Sequence, residues 1–273
     1  MRGFLATAFV LVVALSGCGG SDHERVNPER MLDQAARHGI SSADIEFDGR
    51  LRVLGVERLS QPLRVRLEGP YVSGGGERIP SIDWRASASA LGFPVSGRLV
   101  STGENVYLSV YGNSYEVGAS QVGAVNERIR GMTAPKAPPR DWLGPARVVG
   151  DDHAGDTDCE RIAAPLRGDQ ASRGLAPLSR ELGLSVPPSV SGRVTVCVGY
   201  DDRVLHELEL HATIGIPVAD RPGLGGATAA VLDADVAISD VGEHQVITPP
   251  HGSVRPIRDL FLELNDLGVP LPY

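Results

Sequence analysis

In short runs between Ile45 and Val117, and again between Val148 and Ser239, apolar residues return at every second position. This alternation limits what the chain can become more than any other feature. Leu63, Val65 and Leu67 alternate with Arg64, Arg66 and Glu68; Val106, Leu108 and Val110 alternate with Tyr107, Ser109 and Tyr111; Val194, Val196 and Val198 repeat the pattern. Neighbouring side chains of a strand point to opposite faces, so each run reads as a strand with one buried and one wetted face, as in an antiparallel sheet. Breaks at Pro70, Gly74-Gly75-Gly76, Gly92-Phe93-Pro94, Gly103 and Gly112-Asn113 fall at hairpin spacing and predict about six meandering strands in the first half. A second set follows: a hairpin over Val148 to Ala164, two strands around the turn Gly199-Tyr200-Asp201-Asp202, and a long strand from Thr228 to Ser239.

Helical period interrupts the strands in four places. Asn27-Pro28 is a cap with proline at the first helical position, Met31, Leu32, Ala35 and Ala36 form the buried stripe, and Gly39 is the stop. Ser120 to Arg130 carries Val122, Val125 and Ile129 on one stripe, and Leu175, Leu178 and Leu182 mark a helix between Asp169 and Leu182. Pro256 to Leu267 presents Ile257, Leu260, Phe261, Leu264 and Leu267, the strongest apolar stripe in the chain, and is expected to lie on a sheet. Three prolines between Thr133 and Arg140 make a stiff connector. Neither half has enough helices to cover its own strands, so both belong to one domain. Regular strand–helix alternation is absent, which sets the class as α+β: a large curved antiparallel sheet of about 11–12 strands, a half-barrel, with helices packed on its concave face around an apolar cavity.

The strand Trp84-Arg85-Ala86-Ser87-Ala88-Ser89-Ala90 puts tryptophan and three alanines on one face. Alanines fill little volume, so a helix packs closely there or space is left open. Both readings stand at this stage.

The first seventeen residues have the layout of a secretory signal: Arg2, then an apolar run from Phe4 to Leu15, too short for a permanent span. Leu15-Ser16-Gly17-Cys18 resembles the bacterial lipobox, which implies lipid attachment at Cys18 and removal of residues 1–17. The alternative is a stray cysteine at the end of an ordinary signal or anchor. By the resemblance, residues 18–26 are a lipidated tether, residues 27–273 are the folded domain, and the protein sits on the extracytoplasmic face of the cell membrane, in contact with the membrane surface through acylated Cys18. The remaining 273 − 17 = 256 residues and a hydrophobic content of 42% suit a globular fold with a sizeable core.

A net charge of −8 argues against nucleic acid as a partner. Lys136 is the only lysine, the residue usage of a high-GC genome such as that of an actinobacterium. Beyond Cys18 two cysteines remain, Cys159 and Cys197. In an oxidising compartment such a pair is expected to form a disulfide, the alternative being two buried free thiols.

Catalytic and metal motifs are not legible. His206 and His211 are five positions apart on a predicted strand and so cannot share a face as the i, i+4 pair of a zinc peptidase helix does. The acidic stretch Asp151 to Asp158 lacks EF-hand spacing and reads as a solvated turn. There is no Gly-x-Ser-x-Gly elbow. The expectation is a non-enzyme with no metal and no cofactor.

Several stretches resemble the LppX/LprG group of actinobacterial lipoproteins, related to the LolA-like carriers: the lipobox, the first helix, Gly97-Arg98-Leu99-Val100-Ser101 before Val106-Tyr107-Leu108, and Tyr115-Glu116-Val117. So do Trp142-Leu143, Val148-Val149-Gly150 to Ile162, Val196-Cys197-Val198-Gly199 with its Asp201-Asp202 turn, and Asp235 to Pro249. The cysteine pair departs from that group. The resemblance implies a monomeric carrier that takes the acyl chains of a lipid or glycolipid into an apolar pocket and moves it within the envelope, with a membrane transporter as a further partner. Leu63, Val65, Leu67, Ala86, Ala88, Val106 and Leu108 are the candidate lining residues. The alternative is an anchored sensing, docking or assembly lipoprotein that uses the same fold without cargo.

Overall fold

The computed structural model describes residues 27–56, 61–90, 93–131, 142–173 and 189–266. Cys18 and its tether, the connector 133–140, and the predicted helix beyond residue 173 lie outside them. Residues 168–173 are helical.

Twelve strands form one continuous sheet. They are β1 (Ser42–Leu54), β2 (Leu63–Val72), β3 (Ser81–Ala90), β4 (Phe93–Thr102), β5 (Val106–Val110), β6 (Asn113–Glu116), β7 (Arg147–Ala154), β8 (Thr157–Pro165), β9 (Ser189–Gly199), β10 (Leu205–Gly215), β11 (Ala229–Ser239) and β12 (Val254–Pro256). The spatial order is β12-β6-β5-β4-β3-β2-β1-β11-β10-β9-β8-β7. β12 and β7 are edges, so the curved sheet stays an open half-barrel. The two meanders meet where β1, from Asp44 to Leu54, pairs with the full length of β11. One junction corrects the expected all-antiparallel pattern: β12 runs parallel to β6. A strand of three residues carries no periodicity of its own to read.

Register sorts the side chains into two unlike faces. One row across the sheet runs Val194, Leu210, Ala234, Gly49, Val65, Ala88, Val95. The next runs Val196, Leu208, Val236, Phe47, Leu67, Ala86, Gly97, Val110. On the other face the corresponding row is Glu209, Asp235, Asp48, Arg66, Ser87, Ser96. The period-two pattern of each strand is thereby multiplied into an apolar surface on one side, interrupted at the β8 flank by buried Glu160 opposite Val198, and a charged, hydroxylated one on the other.

Helix α1 (Pro28–His38) starts as expected, with the Asn27 side chain accepting from the backbone N–H of Glu29 and Arg30, and ends at Gly39, whose φ of 62° suits glycine. Met31 is buried on Ile162, Val196 and Val198, with Leu32 and Ala35 beside it, which places α1 on the apolar face. Ala36 is exposed, at the margin of that contact.

Helices α2 (Ala119–Gly131) and α3 (Ile257–Asp266) are rolled differently from their apolar stripes. In α2, Val122 is buried but Val125 is 43% exposed. Buried Asn126 takes the inner position instead, accepting from the Ile79 N–H at 2.8 Å and donating to the Gly103 carbonyl at 2.8 Å. Satisfying two buried backbone groups outweighs burying one valine. In α3, Leu260 is buried while Phe261 is 49% exposed, because Glu263 is turned toward Tyr115.

Candidate functional site

All seven candidate lining residues fall on the apolar face. Val65 stands opposite Ala88 and Leu67 opposite Ala86. Leu108 opposes Leu99, itself opposite Trp84, and Val106 opposes Ser101. Leu63 is 37% exposed, and the other six are half-buried. Small residues cluster mid-face, where Ala86, Ala88, Ala234, Gly49 and Gly97 adjoin. The outer end of the Phe47 ring lies over Gly49, where an added Cβ would come within 2.7 Å of it.

Helices meet this face at its two flanks. Among the described residues, α1 packs chiefly on β7 to β9, with its C-terminal end reaching over Ile45 of β1, Tyr71 of β2 and Leu205 of β10, and α3 packs chiefly on β6 and β12. Tyr115, on the same face as Leu108, is 1% exposed beneath α3. Between these flanks Ala43, Ile82, Ala212, Ala234 and Ile238 are buried, while Phe47, Val65, Leu67, Ala86, Ala88, Leu108, Leu208, Leu210 and Val236 stay only partly covered. Beneath the C-terminal end of α1 lies a cavity of about 380 Å³. Ala35, Ile40, Ile45, Tyr71, Val204 and Leu205 supply its apolar lining, with His38 and Gly39 at the helix end. Of these, Ile45 and Tyr71 had no distinguishing mark in the sequence; only register brings them under α1.

One polar atom is stranded on the apolar face. The Trp84 indole N–H is buried and has no acceptor among the described residues. A buried donor left unpaired is costly, so it marks a place where a bound carbonyl or hydroxyl would be stabilising.

The opposite face carries a larger groove, about 620 Å³, with Ser87, Ser96 and Ser109 in its floor and Arg66, Arg85, Arg98 and Tyr111 around it. Its arginines are engaged: Arg85 reaches Glu68 at 2.7 Å, and Arg98 holds both oxygens of Asp83. Arg161 similarly bridges Asp152 and Glu209 across the sheet.

Cys159 and Cys197 form a disulfide between β8 and β9, with Cα atoms 5.5 Å apart, on the face opposite the valines of β9. It joins adjacent strands and both sulfurs are buried. Three carboxylates of the predicted acidic turn have protein partners. Asp151 accepts from the Tyr200 hydroxyl, Asp152 from Arg161, and Asp158 pairs with His153 at 2.6 Å. The backbone N–H of His153, and then Arg161, hold the Asp152 carboxyl below the usual range. His206 is bound to Asp202 at 2.8 Å and His211 to Asp233 at 2.5 Å, so the two rings serve different carboxylates. Among the described residues no group of three or more His, Cys, Asp or Glu side chains is placed to hold a metal ion, and no helix is long and apolar enough to cross a membrane.

No family model matches the sequence, and no curated protein does. Among solved structures the chain is similar to LprF from Mycobacterium bovis, at 13% identity and a TM-score of 0.47, covering 82% of this chain and 97% of that one. It is similar to the Mycobacterium tuberculosis lipoprotein LppX at 11% identity and a TM-score of 0.44, covering 81% and 98%. A LolA-superfamily protein, NE2245 from Nitrosomonas europaea, follows at 10% identity and a TM-score of 0.26, covering 79% and 95%.

Proposed function

We propose that this protein is a cell-envelope lipoprotein, anchored through Cys18, that binds the acyl chains of a lipid or glycolipid on the apolar face of its half-barrel and carries it within the envelope. The observation that carries this reading is the face itself: two uncharged rows crossing the sheet, flanked by helices and only half-buried between them. An acyl chain in water costs about 0.8 kcal/mol per CH₂, so a face that shelters even part of a tail lowers the barrier to transfer steeply. Trp84 N–H supplies a donor to the ester or amide carbonyl that joins tail to headgroup. The mechanism needs no catalytic group: exclusion of water and reversible burial suffice.

The test is extraction. A soluble form lacking residues 1–18 is purified from a lipid-containing host and weighed by native mass spectrometry. Co-purifying lipid, or uptake of labelled phospholipid by the delipidated protein, is the expected result. A clean apo mass with no uptake sinks the carrier reading and leaves an anchored docking or assembly lipoprotein.

A further inference from the structure

The register places the charges unevenly along the strands. At the end of the sheet where β1 finishes and β2, β9 and β11 begin, the outer face carries Arg50, Arg52, Arg64 and Arg193, with Arg167 and Arg221 in the adjoining loops. Among the described residues Asp169, Asp220 and Asp233 are the carboxylates at this end. Arg64 and Arg193 have no ion-pair partner among the described residues, and Arg167 lies in the field of Asp169, which Arg173 also holds. The other end is acidic: Asp44 and Glu46 of β1 lie with Asp240 and Glu243 beyond β11, and Asp158, Glu160 and Asp202 gather around the β8–β9 edge. Carboxylates crowd there enough that Asp44 is pushed above its ordinary range, by burial first and then by Asp240 and Glu243.

Exposed apolar side chains collect at the basic end as well. Leu54 is 44% exposed, Leu63 37% and Val95 41%, and in the β10–β11 loop Val218 is 72% and Leu224 40% exposed. Leu63 and Val95 belong to the inner, apolar face, whereas Arg50, Arg52, Arg64 and Arg193 belong to the outer one. The lip of the half-barrel is therefore amphipathic, greasy inside and cationic outside.

We infer that this end of the sheet is a docking edge for an anionic phospholipid bilayer, with Val218 and Leu224 entering the acyl boundary and the arginines meeting lipid phosphates. The charge decides the orientation. A chain of net charge −8 is repelled overall by an anionic surface, and only its basic end is attracted, so the field turns that end toward the membrane. Apolar insertion and basic contact together hold where one alone is marginal. The nine residues from Cys18 to Val26 span at most about 30 Å, so a chain anchored at Cys18 keeps this edge within reach of the bilayer. The inference rests on the Cys18 anchor of the proposed function but not on lipid cargo, since the lip has this character whether or not a lipid lies on the face.

The test uses the full chain, carried on unilamellar vesicles through its N-terminal segment. The vesicles are phosphatidylcholine alone or mixed with phosphatidylglycerol, with brominated acyl chains as quencher. Two variants, Val218→Trp at the basic end and Glu104→Trp in the β4–β5 turn at the acidic end, are compared after subtracting the parent emission. The expected result is a blue shift and loss of most of the added emission for V218W on anionic vesicles, with E104W unchanged. The quenching should return to the parent level on neutral vesicles, in high salt, and when Arg64→Glu and Arg193→Glu are added. Hydrogen exchange on the unmodified chain gives a second readout, with protection by anionic vesicles confined to residues 216–228. Equal quenching at both positions, indifference to lipid charge, or no protection of that loop overturns the proposal.

Discussion

The hydroxyl of Tyr115 donates to the carboxylate of Glu263 at 2.7 Å, joining β6 to α3 across 148 positions of sequence. Arg255 grips the other oxygen at 2.5 Å and lies 5.5 Å from the Tyr115 ring centre. The hydrogen bond from Tyr115, then the one from Arg255, hold the Glu263 carboxyl below its ordinary range. Glu263 in turn raises the Tyr115 hydroxyl, with burial second. The triad sets the roll of α3 and leaves Phe261 outward.

A pH dependence follows with a definite sign. A carboxyl lowered in the folded state contributes stability above its unfolded pKa, about 4.3, and loses it as pH falls through the folded value. A raised phenol contributes below about 10 and loses its part above that. Thermal unfolding as a function of pH should therefore show Tyr115→Phe less stable than the parent by about 2–4 °C of melting temperature across the neutral plateau. The gap should narrow below pH about 4. A gap that stays constant into acid would mean the bond to Glu263 is not its source.

The disulfide closes 38 positions, for which chain entropy alone gives about 4 kcal/mol of stabilisation as an upper bound. Cys159 and Cys197 are 0% and 1% exposed. The native protein should therefore resist mild reductant, and the paired Cys159→Ala, Cys197→Ala variant should unfold at markedly lower guanidinium concentration with little change in far-ultraviolet circular dichroism at rest. Rapid reduction of the native state would contradict the burial.

Met31 is the main side chain that α1 sets on the sheet, against Ile162, Val196 and Val198. Truncation to alanine empties a closely packed contact and should cost about 2–5 kcal/mol if the site cannot collapse. Asn27→Ala removes the cap alone and should cost about 1 kcal/mol. The two losses separate packing of α1 from its formation, and denaturant melts of both variants measure them. Equal losses would show that α1 contributes little through the Met31 contact.

Local pattern carried much of this fold. Alternation located the strands, the Asn27-Pro28 pair located the start of α1, and the opposite-face position of Cys197 relative to its valines was visible before its partner strand was known. What lay beyond reach was non-local. Nothing in the period of β1 says that it pairs with β11, because loop closure across some 190 positions leaves no local signature. Helix roll is illegible for the same reason: Asn126 is buried and Glu263 is turned toward Tyr115 through partners far away in sequence, whereas an apolar stripe read alone assigns both outward. The charge asymmetry between the two ends of the sheet likewise exists only once strands are in register.

The mid-face alanines offer the sharpest check on whether the apolar face is open. Ala88 stands between Val65 and Val95, and Ala86 between Leu67 and Gly97. In a filled core, adding a phenyl ring at either position forces neighbours off their rotamers and costs about 1–3 kcal/mol. On a face left free for a cargo chain, Ala88→Phe is accommodated with stability within about 1 kcal/mol of the parent, because the ring adds buried apolar area without a clash. The same ring then occupies space meant for an alkyl tail, so the variant should retain less co-purified lipid and take up less labelled phospholipid. Stability and lipid content thus move independently in the carrier reading. A destabilised Ala88→Phe with unchanged lipid content would instead place a side chain of the protein over that alanine and remove the face from consideration as the binding surface.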